Sequence, residues 1–146
     1  MCYPDDARPP DHGRGGAVGG YQELVLTAAD GNKFAAYASR AAAPSGAGIV
    51  ILPDVRGLHN FYRALACRFA EAGIDAVAID YFGRTAGIGV RDDDFEYRPH
   101  VERTTAEGIA ADTGEAVKGN RIDVWLPSEA QAQEWGVKTL TITILD

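Results

Sequence analysis

Acyl transfer through a covalent intermediate needs an activated serine or cysteine. In strand-turn-helix enzymes that residue sits in a G-x-S-x-G setting, because the turn is too tight for side chains two residues on either side. The candidates here are Ser39, Ser45, Ser128, Cys2 and Cys67, and none has that surround. Ser128 stands between an expected strand and an expected helix. Leu126 and Pro127 precede it, however, and Ser128 with Gln131 forms a capping box, so a structural role is the simpler reading. The Asp92-Asp93-Asp94 run could offer oxygens to a hard cation, but an acidic triplet on a glycine-rich loop reads as solvated charge, and no metal is expected. Asp11 next to His12 reads as an accidental neighbour pair in a polar terminus, and His59 as a helix-start residue rather than a general base.

The elements that would position such chemistry follow from periodicity and turn signals. YQELVLT and KFAAYAS flank Asp30-Gly31, a positive-φ turn signal, and read as an antiparallel hairpin. Ala47 to Leu52 and Ile74 to Ile79 are continuous apolar runs of the kind buried on both faces of a parallel sheet. Between them Phe61, Leu65 and Phe69 recur at helical spacing, and Gly73 stands where a helix ends. Strand, helix and strand within so few residues make a crossover unit, hence an α/β architecture. Tyr81 to Tyr97 reads as a long loop at the carboxyl end of the second strand, where open α/β sheets bind ligands. Arg98 to Asp112 reads as one helix, Arg121 to Leu126 as a strand, Ser128 to Trp135 as a short helix and Lys138 to Leu145 as a final strand.

Composition narrows the function classes. The chain has 146 residues and a net charge of -7, with 21 acidic against 14 basic residues, which leaves no basic footprint for a phosphate backbone or an anionic membrane surface. No nucleic-acid or membrane partner is expected. No apolar run approaches the roughly 20 residues of a membrane-spanning helix, and no secretory signal opens the chain, so the expected location is cytoplasmic with two free thiols.

VILPDVRGLHNFYRALACRFAEAGIDAVAIDYFGRT, preceded by the hairpin and followed by a helix of the ERTTAEGIAAD kind, resembles the dienelactone hydrolase family of α/β-hydrolases over about residues 21–111. The pattern is (L/V)-P-(E/D)-x-x-G-L, then D-x-(Y/F)-x-R, each half at the carboxyl end of an expected strand. The resemblance implies hydrolysis of a small ester or lactone. It puts Asp54 in the place of an acid that pairs with the resting nucleophile, and Val55 in the place of a backbone donor to the oxyanion. It puts Arg84 in the place of an arginine that holds a substrate carboxylate. It implies no cofactor. Without the resemblance, Arg84 reads as a surface arginine after a strand. No residue matches the family's cysteine, aspartate and histidine triad, so the chain is expected to be inactive alone.

From Ala111 the likeness changes. DTGEAVKGNRIDVWLPSEAQAQEWGVKTLTITIL resembles the closing part of a 3D domain, the small double-psi barrel related to lytic transglycosylases. Asp112 and Asp123 match two of the three aspartates for which that family is named, and one would protonate a glycosidic oxygen of peptidoglycan. The alternative reading makes Asp112 the end of a helix and Asp123 a solvent-facing residue on an edge strand.

The organisation expected is a flexible arm at 1–20, a truncated hydrolase-like α/β region at 21–111, and a 3D-like segment at 112–146. In fold terms this is a partial α/β-hydrolase-like sheet, hairpin then β-α-β-α, followed by a β-α-β segment of different likeness. A fused or recombined reading frame is the simplest account. Apolar strand faces left without partners allow a homodimer, and a catalytically silent binding domain stands beside the two enzyme readings.

Overall fold

The computed structural model describes residues 6–116 except 12, 14, 15, 90 and 93, with Glu115 and Ala116 described by their backbone alone. The elements expected after residue 120, with Asp123 and Ser128, and the terminal Cys2 lie outside the described residues.

Strand β1 (Val18–Thr27) pairs antiparallel with β2 (Lys33–Ala41), and Tyr21 faces Ser39 across the ladder. Gly31 takes the turn's positive φ of 86°, and its N–H donates to the Ala28 carbonyl at 2.8 Å. Val18, Gly19 and Gly20, read from sequence as the end of the arm, already belong to β1, and Ala7 packs against the core.

Next come β3 (Gly48–Ile51), α1 (Asn60–Glu71) and β4 (Asp75–Ile79). The sheet order is β1-β2-β4-β3, with β4 antiparallel to β2 and parallel to β3. The expected crossover unit is therefore present. Gly73, at φ 86°, donates to Ala70, and the Ile74 N–H reaches back to Phe69 at 2.9 Å. That pair of bonds is a Schellman motif, which satisfies carbonyls the helix end would leave orphaned.

Side chains alternate across the sheet, and each face has its own core. Tyr37, Ile51, Ala76 and Ala78 meet Phe61, Tyr62 and Ala66 of α1. Helix α1 buries Phe61, Tyr62, Ala66 and Ala70, while Leu65 and Phe69 are only partly buried. The other face gathers Phe34, Ala36 and Ile79 with Val50, Val77 and Ala111. Phe34 and Ile79 are fully buried, each worth about 1.5–3 kcal/mol of apolar transfer.

Past β4 the chain makes α2 (Gly83–Ala86), α3 (Arg98–Arg103) and α4 (Ala106–Ala116). The single helix expected over Arg98 to Asp112 is two helices, and Val101 in the first of them is 46% exposed. The break lies at two threonines. Thr104 is extended, its hydroxyl bonded to the His100 carbonyl at 2.8 Å, and the Thr105 hydroxyl accepts the Gly108 N–H at 3.1 Å. Threonine side chains compete in this way with the helical ladder and restart it.

Candidate functional site

A cleft of about 550 Å³ opens where β3 and β4 end. Asp54 and Val55 follow β3, Tyr81 and Phe82 follow β4, and Tyr97, Val101 and Ile109 of the α3–α4 region close the other side. The sequence pattern thus brings Asp54 and Val55 together at the mouth of the sheet, the position that open α/β folds give to ligands.

The loop carrying them is folded by its own polar groups. Asp54 Oδ1 accepts the Arg56 N–H at 3.0 Å, the Asp54 carbonyl accepts Gly57 N–H at 2.9 Å, and Gly57 turns the chain with φ 70°. Asp54 Oδ2 is buried and has no hydrogen-bond partner among the described residues. Tyr81 keeps its proton well into the alkaline range, because burial raises its pKa and the charges of Asp54 and Asp80 raise it further.

Beneath the loop lies a buried ion pair between Asp80 and Arg91, 2% and 6% exposed in their side chains. Arg91 Nε also donates to the Val55 carbonyl at 3.0 Å, and the guanidinium lies over the Phe95 ring. A Cβ on Gly57 would fall 2.4 Å from the Arg91 guanidinium and 2.7 Å from Asp80, so the loop sits directly on the pair. Burial pushes the Asp80 carboxyl above its ordinary range, while Arg91 and the N–H groups of Gly83 and Phe82 pull the other way. Asp80 opens the D-x-(Y/F)-x-R pattern and was legible as part of it. Arg91, in a loop without periodicity, had no signal.

Arg84 stands apart from the residues described as lining the cleft. Its guanidinium spans Asp30, at 2.6 Å, and Asp112, at 2.8 Å, and Asn32 adds a donor to Asp112 at 3.0 Å. Asp112, in α4, is completely buried. These bonds hold the Arg84 guanidinium even more firmly protonated than usual, and Arg84 pulls the Asp30 carboxyl below its ordinary range. The two residues assigned to different chemistries are thus partners, joining α4 to the β1–β2 turn.

The other nucleophile candidates have structural surroundings. Ser39 Oγ and the Tyr37 hydroxyl lie 3.7 and 3.6 Å from Cys67 Sγ between the sheet and α1, and Ser45 Oγ donates to the Gly73 carbonyl at 2.7 Å. His59 takes the N-cap position of α1. Among the described residues no group of acids, histidines and cysteines is placed to hold a metal ion, and no helix is long and apolar enough to cross a membrane.

Comparison with known proteins returns both likenesses. A dienelactone hydrolase-described protein from Klebsiella pneumoniae superposes with a TM-score of 0.52 at 23% identity, over 66% of this chain and 41% of that one. The solved structure m3DLH superposes with a TM-score of 0.56 at 25% identity, over 74% of this chain and 46% of the other. The family model of the 3D domain matches residues 76–146. The cell wall-binding protein YocH of Bacillus subtilis is 55% identical over 40 residues, which is 27% of this chain and 14% of that protein. YabE of the same organism, described as a cell wall shaping protein, is 58% identical over 38 residues, 26% of this chain and 9% of that one. The chain therefore spans a small part of those relatives' length. Its described sheet has the α/β-hydrolase fold of the dienelactone hydrolases, and from residue 76 onward the same chain matches the 3D domain.

Proposed function

We propose that the cleft at the ends of β3 and β4 binds a small ester or lactone, with Val55 as backbone donor to the carbonyl oxygen and Asp54 beside it. The reading rests on one observation: the two residues that the sequence pattern singles out line an open cleft at the ligand-binding edge of a hydrolase-type sheet. The peptide that carries the Val55 N–H is held by its carbonyl, that of Asp54, which accepts the Gly57 N–H at 2.9 Å. A peptide fixed in this way has a fixed N–H direction, as preorganised oxyanion stabilisation requires. The described lining residues include no serine, cysteine or histidine. The chain is therefore read as a binder without turnover. Incubation of the purified chain with activated aryl esters is expected to give no hydrolysis above buffer, while an unreactive ester perturbs the NMR resonances of Val55 and Tyr81. Turnover that disappears in Ser128→Ala would replace this reading with an active hydrolase.

A second reading is favoured by the 3D match and by the printed descriptions of YocH and YabE. In it the carboxyl-terminal part attaches the chain to cell wall polymer, outside the membrane rather than in the cytoplasm. Asp112, buried against Arg84, is poorly suited to protonate a glycan, which leaves Asp123 as the acid to test. Co-sedimentation with purified sacculi, without release of anhydro-muropeptides, is the expected result. Release that is lost in Asp123→Asn would show cleavage.

A further inference from the structure

We infer that Arg91 is the positioning residue of the cleft, the side chain that sets the Val55 loop on one wall against α3 on the other. The inference rests on the binding reading above in one respect: that the space between those walls takes a ligand. Arg91 is 8% exposed, and its guanidinium is used on its edges and on its face. Nε donates to the Val55 carbonyl at 3.0 Å, so the peptide between Val55 and Arg56 is held at both ends, its N–H being bonded to Asp54 Oδ1. A second nitrogen pairs with Asp80, directly before the lining residues Tyr81 and Phe82, and the third lies 3.4 Å from the Gly87 carbonyl beyond α2. The guanidinium carbon is 5.3 Å from the Phe95 ring centroid, and Phe95 stacks at 5.0 Å on His100 in α3. Helix α3 needs that stack. None of its six residues is buried, yet Tyr97 at its start, Val101 within it and Thr104 at its end line the cleft. A helix without buried residues has little apolar area to fix it, so its seat follows the Phe95–His100 stack and, through it, Arg91. A planar fork can serve these partners at once, whereas a lysine keeps the charge beside Asp80 and brings a single point of contact.

The test compares the full chain as wild type, Arg91→Lys and Phe95→Leu by NMR and amide hydrogen exchange, with methyl benzoate as the probe ligand. Arg91→Lys is expected to shift the Arg56 and Gly57 amides on one wall. On the other it should speed exchange of the His100 and Val101 amides, which bond to the Tyr97 carbonyl, by about tenfold, the worth of one aromatic contact. Phe95→Leu cuts the branch to α3 alone, so the same exchange rises while the Arg56 and Gly57 amides stay in place. Methyl benzoate should bind about tenfold more weakly to Arg91→Lys, one charge-assisted hydrogen bond being lost from the ordering of the loop. A role in stability alone predicts that Arg91→Lys, its charge kept, leaves both walls unshifted and binds the ester as wild type does. That result overturns the inference, and so does a response of one wall without the other in Arg91→Lys. If methyl benzoate binds no form of the protein, the binding reading falls, and the amide shifts and exchange still decide whether Arg91 sets the walls. Should Arg91→Lys fail to fold, Phe95→Leu decides: unchanged exchange in α3, or shifted Arg56 and Gly57 amides, overturns the inference.

Discussion

Replacing Arg91 by methionine tests whether the buried pair under the Val55 loop is as central as its position implies. Asp80 would keep its burial and lose its counter-charge, a change that costs about 3–5 kcal/mol when one member of a buried pair is removed. Protonation of Asp80 sets a ceiling on the part of that cost that comes from its uncompensated charge. Neutralising a carboxyl with an ordinary pKa of 3.8 takes about 4.4 kcal/mol at pH 7 and about 1.6 kcal/mol at pH 5, at roughly 1.36 kcal/mol per unit. The sign follows from the raised pKa. Between 3.8 and its folded value Asp80 binds more protons in the folded than in the unfolded state, so its contribution to stability falls as pH rises through that window. Removing Arg91 takes away the largest force opposing the shift and widens the window upward. Urea unfolding followed by circular dichroism should therefore show Arg91→Met losing about 3–4 kcal/mol relative to wild type at pH 7, and a clearly smaller loss at pH 5, where neutralising Asp80 takes less. A loss below about 1 kcal/mol, or one that is the same at both pH values, would refute the buried-pair argument.

Two further substitutions probe the neighbouring framework. Asp112→Ala removes the bonds to Arg84 and Asn32 while Arg84 keeps Asp30, and is expected to cost about 1.5–3 kcal/mol in the same urea assay, whereas an exposed barrel acid would leave stability unchanged. Gly57→Ala combines a positive φ with a clash against Arg91 and Asp80, and should cost at least about 2 kcal/mol while shifting the Val55 amide resonance.

The hairpin, the β3-α1-β4 unit and the Gly73 cap were legible because each rests on local pattern: period-two alternation, apolar runs, glycine at positive φ. Asp54 and Val55 were singled out by the resemblance, at the carboxyl end of an expected strand, and both are found in the lining of the cleft beyond β3. The break at Thr104 and Thr105 was not, since a helical period continues across it and only the hydroxyl bonds to His100 and Gly108 interrupt the ladder. The partnerships of Arg84 with Asp112 and of Arg91 with Asp80 lay beyond reach for a different reason. An ion pair leaves no periodic trace, and its partners are chosen by how α4 and the loop after α2 close over the sheet. The resemblance gave Arg84 and Asp112 roles separately, each within its own family, and so could not show that one chain would set them against each other.

Strand β4 has a bearing on how this chain can be taken apart. It lies between β2 and β3 and hydrogen-bonds to both, and the 3D match begins inside it, at residue 76. The boundary of likeness is therefore not a seam of the fold. Cutting there would leave the β1–β2 hairpin and a detached β3 on one side, too little sheet to stand alone in water. The other piece would take with it Arg84, Asp80 and Arg91 but lose Asp30 and the Val55 loop that they hold. Modularity in this chain stops short of β4: the sheet and the ion pairs of Arg84 and Arg91 tie residues 18–116 together.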